Sequence, residues 1–115
     1  MANFQKAEPQ PLLNDYESTN LRSSDFATRA YGIQQFKNFS FQTNVTSQTG
    51  LSVTAKVQAT LDNVNWCDVP SSAVTLNANG SYMWNFSGAA YIAVRMYFTF
   101  AEGSALFQVW AFVTT

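Results

Sequence analysis

The feature that most constrains the fold is a strict alternation of apolar and polar side chains over residues 51–61, LSVTAKVQATL. A period of two residues places successive side chains on opposite faces of a strand, so this segment predicts a strand with one buried face. The alternation recurs in FSFQTNV at 39–45 and in YIAVRMYFTFA at 91–101. ALFQVWAFVTT at 105–115 is apolar on both faces and predicts a central or covered strand. The apolar series of the first segment is Leu51, Val53, Ala55, Val57, Ala59 and Leu61.

Shorter β-type segments complete the pattern. NWCDV at 65–69, AVTL at 73–76 and SYMWNF at 81–86 are bounded by Gly, Pro, Asn, Asp and Ser, which favour turns. TSQTG at 46–50 and AEGS at 101–104 predict turns between the longer strands. Short strands at regular spacing, with no alternating helices, indicate an all-β, antiparallel β-sandwich that is jelly-roll-like.

Charged side chains are distributed unevenly along the chain. Residues 1–30 carry seven and residues 31–115 carry six, and the whole chain is far below the share of about 25% that is usual for soluble domains. The first segment has no sustained period, and Pro9 and Pro11 favour an extended start. We therefore expect an extended N-terminal arm over residues 1–30, followed by a β-sandwich domain over residues 31–115. A charge-poor sandwich is typical of a subunit whose faces are covered by neighbours.

The segment LDNVNWCDV at residues 61–69 concentrates carboxylates, amides, a tryptophan and the single cysteine. DNVN has the residues of a tight reversal, after which we expect Trp66 to plug the core and Cys67 to be half-buried. A calcium loop needs oxygen ligands at alternate positions, which valine and tryptophan occupy here. Asp62 and Asp68 have the residue type of a glycosidase pair, but a turn former and a surface aspartate explain them more simply.

The inventory of reactive side chains argues against catalysis. The chain has no histidine, which removes Ser-His-Asp and Cys-His mechanisms and most transition-metal sites. Its five glycines are scattered singly, so no phosphate-binding loop is present. We expect a protein that is not an enzyme and has neither cofactor nor metal. A net charge of −1 argues against nucleic acid or an anionic membrane as partner. One cysteine and an N-terminus without an apolar signal segment are typical of an intracellular protein.

Two longer stretches carry a resemblance to a known class of protein. QATLDNVNWCDVPSS, followed by NGSYMWNFSGAAYIAVRMYFTFAEGSALFQVWA, is similar to small β-sandwich structural proteins in the virions of tailed bacteriophages. The match covers residues 50–113, and Asn63 stands where glycine is usual in that pattern. The resemblance implies a capsid decoration protein, or a head-fibre or tail-associated subunit, assembled into a virion in the host cytoplasm. It implies no catalytic residues.

Candidate partner-binding residues fall into two groups. Arm side chains that could bury on a neighbour are Leu12, Leu13, Tyr16 and Phe26. A second group has the parity opposite to the buried face of its strand, namely Tyr91, Arg95 and Tyr97. Expected partners are further copies of the chain and other virion proteins, namely major capsid, portal or tail components. The arm could also add as a strand to an exposed sheet edge.

Aromatic residues leave an alternative open. Tyr82, Trp84 and Tyr97 could stack on sugar rings, because carbohydrate-binding modules combine exposed aromatic side chains with amides and acids, and this chain has both. The competing interpretation is that these aromatic side chains fill the core or an interface between subunits. The sequence favours the interface, since low charge and an apolar arm both indicate assembly.

Overall fold

The computed structural model describes residues 13–18, 20–34 and 36–114, and for residues 13–18 it describes the course of the backbone. Within these residues the chain is all-β. No helix in this part of the chain is long and apolar enough to cross a membrane. The strands are β1 (Leu13–Ser18), β2 (Phe26–Ala27), β3 (Tyr31–Gly32), β4 (Asn38–Thr60), β5 (Cys67–Asp68), β6 (Val74–Leu76), β7 (Gly80–Phe86) and β8 (Ala93–Thr114).

The two long strands, β4 and β8, form the framework of the molecule. They pair antiparallel over their whole length, from Asn38 opposite Thr114 to Thr60 opposite Ala93. In the first half-sheet, β1 and β7 flank this pair, in the order β1-β8-β4-β7. In the second half-sheet, β2 and β3 flank β8 while β5 and β6 flank β4. The predicted antiparallel, sandwich-like fold is confirmed.

A bend in β4 and β8 joins the two half-sheets. The pairing register shifts three times between Thr46 and Val53, and Gly50 and Gly103 lie there with φ angles of 56° and 83°. A Cβ on Gly103 would lie 2.5 Å from the Cα of Leu51. The predicted turns at 46–50 and 101–104 are wrong, because both strands continue through these residues as bulged, bent ladders.

The alternation of the sequence forms the core between the half-sheets. The predicted inner face of the second half of β4 is buried from Leu51 to Ala59, but Leu61 is 70% exposed because the strand ends one residue earlier. Rings from the two half-sheets meet, since the centroids of Phe98 and Phe107 are 5.1 Å apart. In β8 the buried parity changes across the bend, which keeps both halves of the strand facing inward. The buried inner residues of the first half-sheet include Phe39, Phe41, Thr43, Val45, Phe107, Val109, Ala111 and Val113.

The described part of residues 1–30 runs along β8 of the same chain. β1 pairs with β8 from Leu13 opposite Val113 to Ser18 opposite Gln108. Arg22 exchanges two backbone hydrogen bonds with Ala105, at 2.9 and 3.1 Å. The ring of Phe26 then stacks on Phe98 at a centroid distance of 4.6 Å. This segment therefore contributes backbone pairing and core packing within the chain.

Candidate functional site

The loop after β4 is closed by the carboxylate of Asp62. It accepts hydrogen bonds from the backbone N–H groups of Asn65 and Val64 at 2.8 and 2.9 Å, and from the Asn65 side chain at 2.8 Å. Asn63 has a φ of 63°, and β4 pairs antiparallel with β5 across these residues, so the predicted reversal is confirmed. The backbone N–H of Asn65, with these further donors, holds the pKa of Asp62 well below its usual range. The carboxylate is occupied by its own loop.

Two predictions for the residues after this loop are wrong. Trp66 does not plug the core: its ring is half-buried, and the Arg95 guanidinium lies over it at 4.3 Å from the centroid. Cys67 is exposed rather than half-buried. The physical reason is that the alternation of β4 ends at Thr60, so the following segment lies at the margin of the sandwich and not between its faces.

On the outer face of the second half-sheet, six side chains form a group that we call the Arg95 cluster, namely Lys56, Gln58, Trp66, Asp68, Arg95 and Tyr97. Register brings them together, since Gln58 lies opposite both Arg95 and Asp68, and Lys56 lies opposite Tyr97. Arg95 Nε donates to Gln58 Oε1 at 2.9 Å, and Gln58 Nε2 donates to Asp68 Oδ1 at 3.1 Å. The Lys56 ammonium donates to the other oxygen of Asp68 at 2.9 Å.

Electrostatics hold this cluster in one arrangement. The Arg95 guanidinium lies 4.3 Å from the Trp66 centroid and 5.8 Å from the Tyr97 centroid. The hydrogen bond from Lys56 lowers the pKa of Asp68, which stays charged at neutral pH. A guanidinium already ordered over an aromatic ring loses little further entropy on docking. The cluster is thus an ordered and partly exposed patch on the outer face of the second half-sheet.

Of the predicted outward-facing group of Tyr91, Arg95 and Tyr97, the structure brings only the last two together. Arg95 and Tyr97 are both half-buried members of the cluster. Tyr91 lies elsewhere, at the end of the sandwich, where its ring meets Phe39 at 6.4 Å. It helps to line an open groove of about 360 Å³, together with Ala59, Thr60, Leu61, Asp62, Asn65, Cys67, Asp68, Val69 and Ala90.

The predicted arm residues have different places in the structure. Leu12 lies outside the described residues. Leu13 and Tyr16 lie on β1, where the backbone pairs with β8. Phe26 is 9% exposed and belongs to the core of its own chain. In this chain its ring therefore faces the sandwich interior.

The three aromatic residues considered for sugar stacking do not form one platform. Trp84 is 5% exposed, and its indole N–H donates to the backbone oxygen of Ser72 at 2.7 Å. Tyr82 is half-buried and donates its hydroxyl to the oxygen of Ala78 at 3.0 Å. Tyr97 lies on the other half-sheet in the Arg95 cluster. Trp84 therefore presents no ring face to a sugar.

Sequence reasoning missed an amide ladder on the outer face of the first half-sheet. Gln42 Nε2 donates to Asn44 Oδ1 at 2.9 Å, and Asn44 Nδ2 donates to Gln108 Oε1 at 3.0 Å. The indole N–H of Trp110 donates to the same Gln108 oxygen at 3.1 Å. The signal was the parity of three amides, since Gln42, Asn44 and Gln108 alternate with the buried side chains of their strands. A groove of about 310 Å³ beside the ladder is lined by Ser40, Phe41, Gln42, Met83, Asn85, Trp110 and Phe112.

Comparisons with known proteins give the fold. No family model matches the chain, and no curated protein matches it. The solved structure of the SPBc2 prophage-derived protein YomS is 14% identical and covers 93% of this chain and 100% of its own, with a TM-score of 0.58. PirA is 8% identical and covers 95% of this chain and 100% of its own, with a TM-score of 0.56. At these identities the likeness shows a shared all-β fold alone.

Proposed function

We propose that this chain is a non-enzymatic virion structural protein of a tailed phage, acting as a capsid decoration or a head- or tail-associated subunit. The observation that carries the proposal is the near absence of free charge on residues 31–115, which form β3 to β8. Of the six charged residues in 31–115, three belong to the Arg95 cluster and Asp62 is occupied by its own loop. Only Lys37 and Glu102 of that segment lie outside these arrangements.

Such a surface favours assembly over a solitary existence. Free monomers usually carry many interspersed charges that keep them apart in solution. Interfaces between proteins are instead enriched in Arg, Tyr and Trp and depleted in Lys, Glu and Asp. Arg95, Trp66 and Tyr97 bring these three enriched residue types together in one ordered patch, in which Lys56 and Asp68 are paired with each other in a salt bridge. The fold shared with the prophage-derived YomS supports a phage setting.

The proposed mode of action is attachment of the sandwich face to another virion protein. Arg95 donates a hydrogen bond from its Nε to Gln58, which sets its position, and the residue stays half-buried with its guanidinium over Trp66. A carbonyl or carboxylate of a capsid, portal or tail protein would bond to the guanidinium nitrogens, and Tyr97 and Trp66 would be covered alongside.

The test is incorporation into particles. Phage particles from cells that encode this chain are purified on a density gradient, and the chain is measured in the particle band by mass spectrometry. We expect it there in many copies per particle. A chain that stays at the top of the gradient while the capsid proteins sediment would contradict the proposal.

The Arg95 cluster is tested by substitution in the same experiment. Arg95→Ala should lower the amount of this chain in the particle band at least tenfold, because the acceptor groups on the virion partner would lose their charged hydrogen-bond donor. Thr99→Ala is the matched control, since Thr99 is exposed further along the same strand and outside the cluster. Both variants should keep the circular dichroism spectrum of the parent. Equal incorporation of the two would exclude the cluster as the docking surface.

A further inference from the structure

One edge of the sandwich differs from the others. β7 pairs with β4 over seven consecutive residues without a bulge, from Phe39 opposite Phe86 to Val45 opposite Gly80. Within the described residues β7 pairs with no other strand, and no backbone hydrogen bond joins it to any segment beyond β4. About half of the N–H and C=O groups of such a strand point away from its neighbour, which leaves a template for a further strand.

This edge lacks the usual protection against pairing. GSYMWNF has no charge and no proline, and Met83 is 60% exposed. The other described edges are protected in ordinary ways. β5 and β6 have two and three residues and are separated by Pro70, and β2 and β3 have two residues each. β1 is six residues long but includes Asp15 and Glu17. β7 is the exception, because it is long, has no bulge and carries no charge.

We infer that β7 pairs antiparallel with β7 of a second copy of this chain, about a two-fold axis at Met83. This inference rests on the proposed function as an assembling subunit. Met83 is the central residue of Gly80–Phe86, so this is the one antiparallel register that pairs all seven residues of both edges. No like charges meet across it, because neither strand carries any. Two first half-sheets then become one continuous sheet.

The register makes chemical sense on both faces. Ser81 lies opposite Asn85 of the second copy on the outer face, where each can bond to the other. Tyr82 lies opposite Trp84 of the second copy on the inner face, and such cross-strand aromatic pairs are stabilising. The exposed side chain of Met83 meets its own symmetry mate. The apolar groove beside Met83, Trp110 and Phe112 is thereby extended and partly covered.

Disulfide trapping tests the register directly in the purified full chain. The parent is Cys67→Ser, which removes the exposed native thiol. Directly opposed residues in an antiparallel pair have Cα atoms ~4.5–5.5 Å apart, which is within the span of a disulfide. Met83→Cys should therefore give a covalent dimer under mild oxidation. Ser81→Cys is the matched control on the same face, because its symmetry mate would lie roughly 13 Å away. Ser81→Cys combined with Asn85→Cys should again cross-link.

Light scattering after size exclusion gives the second readout. The parent chain should be a dimer, Met83→Leu should remain one, and Met83→Lys should be a folded monomer because two ammonium groups would face each other at the axis. A parent chain that is monomeric at every concentration, or a Met83→Cys variant that cross-links no better than Ser81→Cys, would overturn the inference. Neither measurement involves particles, so the two proposals can fail separately. A chain that is incorporated into virions but does not form this dimer would contradict the inference and still support the proposed function.

Discussion

Replacing Gly103 with alanine is expected to destabilise the fold more than replacing Gly50, the glycine of β4 that lies against it at the bend. Gly103 lies at the bend with a φ of 83°. Its added Cβ would lie 2.5 Å from the Cα of Leu51 and closer still to the carbonyl oxygen of Gly50. These neighbours are backbone atoms of the opposite strand, so no side-chain rotation can relieve the contact.

The size of the effect follows from two contributions. A left-handed backbone costs an L-residue ~1–2 kcal/mol, and forcing an extra methyl group into a packed site costs about 1–3 kcal/mol more. The sum is about 4 kcal/mol, because the obstacle is backbone. A chain of this length has a free energy of unfolding of about 6–17 kcal/mol, so the variant should fold but with much of its stability lost.

Urea unfolding followed by tryptophan fluorescence measures the difference. With a slope of about 1.5–2 kcal/mol per molar urea, the midpoint of Gly103→Ala should fall by roughly 2–3 M. Gly50→Ala is the matched control: it has a φ of 56° but nothing lies within 4 Å of its Cβ, so its midpoint should fall by roughly 1 M or less. Gly32→Ala has neither problem and should stay within about 0.5 kcal/mol of the parent. If Gly103→Ala is no less stable than Gly50→Ala, the close approach of the two strands at the bend is refuted.

Three further predictions concern single side chains. Trp84→Phe should lower the free energy of unfolding by about 1–3 kcal/mol, because the buried oxygen of Ser72 loses its donor, while Tyr82→Phe should cost less than 1.5 kcal/mol in the same urea titration. Asp62 has a folded-state pKa below the ordinary value of 3.8, so its contribution to stability is fully present above pH 3.8, begins to be lost as the pH falls below that value, and is gone once the pH has fallen through the folded pKa. Asp62→Asn should therefore show a smaller drop in urea midpoint between pH 6 and pH 3 than the parent, and an equal drop would contradict this assignment. Cys67 should react completely with a thiol reagent in the native state, and a thiol that reacts only after urea is added would contradict its exposure.

Residue parity predicted the inner face of the sandwich because it depends on strand geometry alone. Val53, Val57, Phe41 and Phe98 are buried as their alternation requires. The same argument placed Arg95 and Tyr97 on the outer face. It could not place Trp66 beside them, since that ring arrives through a loop. The large hydrophobic surface of Trp66 favoured a place in the core, but the Arg95 guanidinium lies over the ring and covers it instead.

The continuity of the long strands could not be predicted from local sequence. A bulge in a continuous strand and a turn between two strands use the same residues, including Gly50 and Gly103 with positive φ. Only the partner strand distinguishes them, because β8 keeps its ladder with β4 on both sides of the bend. The edge of β7 that has no partner strand among the described residues is likewise a property of the assembled sheet, visible only once the neighbours of each strand are known.

The position of β8 determines when the molecule can fold. β8 lies next to β4 in both half-sheets, so neither half-sheet is complete until residues 93–114 have emerged from the ribosome. The side-chain hydrogen bond from Asn38 on β4 to Thr114 on β8 joins residues that are 76 positions apart. Chains dominated by such distant pairings fold in milliseconds to seconds, far more slowly than helical bundles. During synthesis β4, which ends at Thr60, is therefore made before β8, which begins at Ala93, and the long ladder between them can close only once β8 has been made.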